Sequence, residues 1–309
     1  MSVFMSIIKY SVKFIIYFFS PIIIIFLICI YPFKKIRFYF LSAQRIGELA
    51  GQVRMHILTK KNNYLDVFFA TDIVSNNFLL NYLKKKIFIV KNYFVHPIWK
   101  ILFILKSKIN FFERFIIYTS PKDKNFILHK ANKFILCKND IKKGDIFLKD
   151  IGIPKNAKIV CLIIRDSKYL KLHDPKVDYS YHDYRNVDIS NYKSAIKYLM
   201  SKNYYIFRMG VNYEKEINFN NEKFIDYSKK YRDDFLDIYL AYKCNFVITS
   251  VTGWDIVPSY FFHKPTLWTN LFPYHACLPY LDTSIFLPKN YYSLKKKKEN
   301  FSMGTNKYN

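Results

Sequence analysis

The stretch YHDYRNVDISNYKSAIKYLMSKNYYIFRMG, from Tyr181 to Gly210, decides how this chain is read. It passes from a charged loop holding His182, Asp183, Arg185 and Asp188 through an amphipathic helix to a short apolar strand that ends in Arg208-Met209-Gly210. Tyr192, Ala195, Ile196 and Leu199 fall at i, i+3, i+4 and i+7 and so share one helical face, with Asp188 or Ser190 available as N-cap. Tyr204 to Phe207 is a compact apolar run directly after that helix, the pattern of a buried parallel strand. The polar residues therefore lie at loop-to-helix and strand-to-loop junctions, where open α/β sheets bind their ligands.

The same alternation continues on both sides. From Lys158 the pattern predicts strands at Ile159–Ile164, Tyr204–Phe207, Phe246–Thr249 and Pro265–Thr269, with helices at Asn191–Met200, Asp233–Tyr242 and Asp255–Phe262 between them. Upstream it predicts strands at Ile36–Leu41, Leu65–Ala70 and Ile87–Val90, helices at Ile46–Leu58 and Asn76–Leu83, and a helical, aromatic segment over Tyr93–Phe115. Lys138–Lys158 shows no sustained period and carries Gly144, Gly152 and Pro154, so it reads as a connection between two units. The expected fold class is α/β: two Rossmann-like parallel-sheet domains, residues 36–150 and 151–290, preceded by a membrane segment over 1–35 and followed by a solvated basic tail over 291–309.

Phe14 to Phe33 is uncharged and, at about 20 residues, long enough to cross the hydrocarbon core as a helix. Lys34, Lys35 and Arg37 follow it and Lys9 and Lys13 precede it, a small basic excess that places the body of the chain on the cytoplasmic side of the inner membrane. A shallow monotopic anchor is the alternative to a span. No small-residue cleavage site follows, which argues against a signal peptide.

The 309 residues are 51% hydrophobic, which describes a packed protein. The formal charge of +26, from 49 Lys and Arg against 23 Asp and Glu, coincides with heavy use of Lys, Asn, Ile, Phe and Tyr, residues that share A/T-rich codons. The remaining excess points to an anionic partner, a phosphorylated donor or acidic lipid headgroups, rather than nucleic acid. The five cysteines have no paired spacing, so no disulfide framework or zinc motif is visible.

In the second unit the carboxyl ends of the strands carry Arg165-Asp166, Arg208-Met209-Gly210, Ser250-Val251-Thr252-Gly253 and Asn270. Strand ends of a parallel sheet line up on one edge, so these residues converge. Ser250, Thr252 and the backbone near Gly253 and Asp255, entering a helix, are candidates to cradle a phosphate, with Arg165 or Arg208 clamping a second one. The long loop from Asp166 to Asp188 is a candidate lid. His182 or Asp183 in it is a candidate general base, and Arg185 shares the loop with Asp178, Asp183 and Asp188, its expected ion-pair partners. Two His-Asp pairs, His173-Asp174 and His182-Asp183, invite a divalent metal, but such sites need ligands on rigid elements, so no metal is assigned. A Walker loop, a dinucleotide GxGxxG and a nucleophile elbow are all missing from the sequence.

Arg165-Asp166-Ser167, HDYRNVDISNY (His182 to Tyr192), Arg208-Met209-Gly210, Asp234 with Asp237-Ile238-Tyr239-Leu240, and Gly253, Asp255 and Pro258 resemble a little-studied bacterial family of glycosyltransferases. RIGELA (Arg45 to Ala50) looks like that family's opening loop, and Arg165-Asp166 is distantly similar to the arginine-bearing strand end of fucosyltransferase-type enzymes. Trp254 departs from the pattern, standing where a small residue is expected, and no final helix is evident after Lys289. The resemblance implies a GT-B arrangement in which the C-terminal half binds a nucleotide-sugar and the N-terminal half the acceptor. It implies transfer of a sugar from a nucleotide diphosphate donor to a cell-surface glycan or lipid-linked precursor, with no cofactor and no metal. The rival expectation is a non-catalytic basic protein that binds anionic lipid or nucleic acid.

Overall fold

The computed structural model describes residues 3–60, 62–90, 92–120, 127–173, 177–272 and 281–290. The expected basic tail lies outside them, as do Asp174 and the side chain of His173. The N-terminal half begins with a long helix, α1 (Val3–Ile30), which turns into β1 (Lys35–Leu41). Then follow α2 (Ile46–Thr59), β2 (Tyr64–Ala70), α3 (Asn77–Leu83), β3 (Phe88–Val90) and α4 (Asn92–Lys106). The aromatic segment expected as one helix to Phe115 is broken after Lys106 and resumes as a 3-10 turn over Asn110–Phe115. The three strands form a parallel sheet in the order β1-β2-β3, and Ile117 donates its N–H to the Phe38 carbonyl on the free side of β1.

The next segment corrects the sequence reading. Residues expected to be an irregular connection form a helix, α5 (Lys138–Asp150). Its inward stripe, Ile141, Gly144, Leu148 and Ile151, has helical spacing but is interrupted by a glycine, which hides the period. The glycine is there for room: a Cβ on Gly144 would come within 2.2 Å of the Tyr239 ring.

The second sheet holds β4 (Lys158–Ile163), β5 (Tyr204–Arg208), β6 (Phe224–Ile225), β7 (Phe246–Thr249), β8 (Thr266–Leu271) and β9 (Ser284–Pro288), all parallel. Helix α6 (Lys193–Ser201), entered through a 3-10 turn over Ile189–Tyr192, joins β4 to β5, and α7 (Asp234–Lys243) leads into β7. Asp233 caps α7, accepting the N–H groups of Phe235 and Leu236. Spatially the strands run β6-β5-β4-β7-β8-β9. Numbered from β4 this is 3-2-1-4-5-6, the doubly wound order, in which the chain reverses direction across the sheet between β4 and β7.

The buried side chains of the two sheets form one continuous cluster. It runs from Leu41, Leu49 and Val53 to Trp254, Val257 and Tyr260. Arg54 of α2, 3% exposed, ties the halves together. Its Nε donates to the Tyr260 carbonyl (3.1 Å), its Nη2 to the Asn132 carbonyl (2.6 Å), and its guanidinium lies 4.5 Å from the Phe134 ring centroid. Asn76, the N-cap of α3, donates to the Asp234 carbonyl at the start of α7 (2.8 Å).

Alanine for glycine inside a helix usually stabilises by about 0.5–1 kcal/mol. Gly144→Ala should instead lose about 1–3 kcal/mol, because the Tyr239 ring fills the space its methyl group would take. Urea denaturation of the two proteins measures the difference, and a stabilised variant would contradict the packing of α5 on α7.

Candidate functional site

The reversal between β4 and β7 opens a crevice at their carboxyl ends, and the backbone there is stitched tightly. The Ser250 N–H donates to the Ile163 carbonyl (3.1 Å), and the Arg165 N–H donates to Ser250 Oγ (2.6 Å). The long loop returns to the same point, with the Val187 N–H donating to the Arg165 carbonyl (3.1 Å). Arg165 is thereby fixed at the switch point with its side chain free of the backbone, and its buried Nε has no hydrogen-bond partner.

The loop after β7 is organised by a buried carboxylate. Asp255 Oδ2 accepts the Thr249 hydroxyl (2.6 Å), the Thr252 N–H (2.7 Å) and the Thr252 hydroxyl (3.3 Å). Val251 is held at φ 62°, a left-handed conformation that costs a β-branched residue about 1–3 kcal/mol. Its carbonyl accepts Arg185 Nη2 (2.9 Å). The helix expected to begin at Asp255 is a short π-type turn over Val257–Phe261. The hydroxyls expected to cradle a phosphate are thus engaged within the protein, Ser250 with Arg165 and Thr252 with Asp255.

Gly253 serves a close approach, to protein backbone. A Cβ on it would lie 3.0 Å from the Gly47 nitrogen, and a Cβ on Gly47 would lie 2.8 Å from the Gly253 Cα. The first turn of α2 therefore touches the β7 loop directly, and Arg45, the residue before α2, arrives beside the switch point. Trp254, next in the chain, is buried and donates its indole N–H to the Asp237 carbonyl (3.2 Å), so its bulk fills the core beside α7.

Arg45, Arg165 and Arg185 consequently converge from three segments. Burial pushes the Arg165 guanidinium down to about 10, and the nearby charges of Arg185 and Arg45 add to the effect. His182 is held below the ordinary imidazole range by burial and then by Arg165, Arg185 and Arg45. It is therefore neutral near pH 7, with its buried Nδ1 lacking a partner and its ring 4.1 Å from that of Tyr181. The expected ion pairs of Arg185 with its loop carboxylates do not form. Asp178 accepts from Ser180, Asp183 from Asn186, and Asp188 from Lys215 Nζ (2.7 Å). Arg45 has Glu48 at 3.7 Å, the carboxylate paired with a member of the cluster among the described residues.

A cavity of about 130 Å³ opens beside Arg165, lined also by Ser167, Tyr179, His182, Asp183 and Asn186. Asn186 separates it from a second of about 290 Å³, where Asp166 and Arg208 lie. Asp166 accepts the N–H groups of Lys168 and Glu214 (3.0 Å each). Arg208 donates to the Lys215 carbonyl (2.8 Å) and lies 3.6 Å from the Tyr213 ring centroid, with its Nη1 buried and unpartnered. Gly210, at φ 127°, turns the chain after β5. The expected site residues thus form two groups: Arg165, His182, Asp183, Arg185 and the Ser250–Asp255 loop at the switch point, and Asp166, Arg208 and Gly210 one strand away. Arg45 escaped the sequence reading of the site because nothing local links it to Arg165. Among the described residues, three or more His, Cys, Asp or Glu side chains gather nowhere closely enough to hold a metal ion.

No family profile and no curated protein matches the sequence. Among solved structures, the E. coli ADP-heptose LPS heptosyltransferase II is similar at a TM-score of 0.46 and 8% identity over 82% of this chain and 90% of its own. A glycosyl transferase of family 9 from Veillonella parvula DSM 2008 is similar at a TM-score of 0.47 and 12% identity over 83% and 86%. The first of these is named as a heptosyltransferase and the second as a glycosyl transferase.

Burial pushes the Asp255 carboxyl up to about 7. With the folded-state value above the ordinary one, its contribution to stability is full below about pH 4 and is lost as pH rises through about 7. Asp255→Asn keeps an oxygen acceptor and cannot ionise. The stability of the wild type relative to this variant should therefore fall between about pH 4 and about pH 7 in urea denaturation. A constant or widening gap would mean that the carboxylate is ionised throughout.

Proposed function

We propose that this chain is a membrane-attached glycosyltransferase of GT-B type, whose C-terminal half binds a nucleotide diphosphate sugar and whose N-terminal half binds a cell-surface glycan or lipid-linked acceptor. The observation that carries this reading is the convergence of Arg45, Arg165 and Arg185 at the doubly wound switch point, where Arg165 is buried with an unpartnered Nε. Like charges held together in a partly buried crevice repel one another, and a dianionic ligand relieves that repulsion. A diphosphate matches the planar forks of arginine and needs no metal to balance its charge.

The chemistry follows from the same charges. As the bond from the sugar carbon to the diphosphate oxygen breaks, negative charge grows on the departing phosphate, and guanidinium groups fixed in advance stabilise it more than the ground state. His182, neutral and beside the cavity, is the group to take the acceptor hydroxyl's proton as its oxygen bonds to the sugar. Arg208 and Asp166, around the neighbouring cavity, would meet the rest of the donor. Helix α1, long and apolar enough over Ile7–Ile30 to enter a membrane, would hold the body at the cytoplasmic face of the inner membrane.

Calorimetry with UDP, GDP, dTDP and CMP at two salt concentrations tests the reading: one nucleotide should bind in preference to the rest. Arg165→Ala should weaken that binding at least tenfold and cut transfer on the order of 10²-fold, about 3 kcal/mol, without lowering the melting temperature. Arg185→Lys should slow transfer as well, because it keeps the charge and loses the fork. Binding of all four nucleotides that varies only with salt would instead fit a non-catalytic basic protein.

A further inference from the structure

Helix α1 is less exposed along one stripe from end to end. Lys9, Val12, Lys13, Ile16, Ser20, Ile23, Ile24 and Leu27 recur at helical spacing as its buried or half-buried positions. Lys9 Nζ lies 3.5 Å from Asp72, just beyond the carboxyl end of β2. Lys13 lies close enough to His96 of α4 to add to the effect of burial in lowering its pKa. Ile24 and Leu27 are buried with Phe38 and Val67 of the sheet. Both ends of the helix therefore rest on the body of the protein.

The outward face is the more apolar one. Tyr10, Phe14, Phe18 and Ile22 are 64–73% exposed, and Ile25 and Phe26 continue the face. Phe33 beyond the helix, and Phe94, Phe103 and Ile104 of α4, extend the same apolar character onto exposed neighbouring positions. An inward stripe holding lysines and a serine beneath an outward face of aromatic and aliphatic side chains reverses the polarity of an ordinary surface helix.

We infer that α1 lies in the membrane plane, packed on the body along its length, and that its outward face together with that of α4 enters the headgroup region of an anionic bilayer without crossing it. Packing supports this. Lys9 Nζ lies 3.5 Å from Asp72 while Ile24 and Leu27 are buried in the core, so the helix is tied to the body near both ends, and a crossing helix would have to give up these contacts. Charge selects the bilayer over a second copy of the chain. Lys34, Lys100 and Lys108 are exposed around the apolar face, residues 3–47 contain no carboxylate, and Glu113 is the acidic residue within 92–120. A second copy would bring like charges face to face, whereas acidic headgroups complement them. The inference rests on the membrane attachment proposed above and not on the sugar chemistry.

The test uses the full chain with a protease-cleavable tag at each end, in inverted inner-membrane vesicles. An in-plane helix leaves both tags on one side, cut together by added protease without detergent. Tags cut on opposite sides of the membrane would establish a span and overturn the inference. Phe14→Asp with Phe18→Asp should reduce flotation with phosphatidylglycerol vesicles at least tenfold while the melting temperature holds. Unchanged flotation, or a wild-type dimer that the substitutions dissociate, would also overturn it. Nucleotide binding is read separately, so failure here leaves the glycosyltransferase reading standing, and the converse.

Discussion

The contact between Gly47 and Gly253 sets the geometry on which the crevice depends. Each glycine sits where a side-chain carbon would fall 2.8–3.0 Å from the other's backbone. The first turn of α2 can therefore reach the β7 loop, and Arg45 follows it to the switch point. Substituting either glycine would push the sheets apart at the edge where the arginines meet. Further along α2, Arg54 repeats the link with hydrogen bonds to the Tyr260 carbonyl across the junction and to the Asn132 carbonyl on its own side. The two parallel sheets are thus held at a fixed spacing by backbone contact near the site and by a buried cation away from it.

That spacing concentrates positive charge that the fold itself leaves unneutralised. The nearby carboxylates are engaged elsewhere: Asp166 by backbone N–H groups, Asp255 by threonines and Asp188 by Lys215. Arg165 is left with an unpartnered Nε, Arg185 with the carbonyl of Val251, whose backbone is held left-handed, and His182 with an imidazole whose pKa is lowered by burial and then by the arginines. Strain and unpaired polar atoms in the interior cost stability, and their gathering at one topological switch point is what a site prepared for an anion requires.

Much of this was legible in the sequence because apolar strand runs and helical stripes are local signals. The strand ends that carry Arg165 and Arg208 fell one residue from their expected places, and the one before Ser250 fell at Thr249 as expected. What escaped reading depended on distant partners. Helix α5 was hidden because its stripe contains Gly144, whose reason is the Tyr239 ring 95 residues later. Gly253 invited a ligand-facing explanation, but its neighbour is Gly47, and Trp254 stood out only until its indole met the carbonyl of Asp237. The two-residue β6 is too short to carry a pattern of its own. Arg45 could be recognised as part of an opening motif but not as a neighbour of Arg165, because only the fold brings them together.

The path of α1 connects the membrane proposal to the site. Because α1 turns directly into β1, it runs antiparallel to that strand, and Lys9 near its start meets Asp72 at the carboxyl end of β2. The carboxyl edge of the sheet is also where Leu41 leads toward Arg45 and the crevice. If α1 lies in the membrane plane, β1 and β2 would lie roughly along that plane, and the crevice that Arg45 reaches would open sideways along the lipid surface. An acceptor carried on a lipid would then reach the arginines by lateral diffusion, its headgroup already at the height of the site, while a soluble donor enters from the aqueous side. The loss of entropy on bringing acceptor and donor together is smaller when one of them is already confined to a surface. On the proposed placement, the reversed outward face of α1 and the cationic crevice would serve one arrangement.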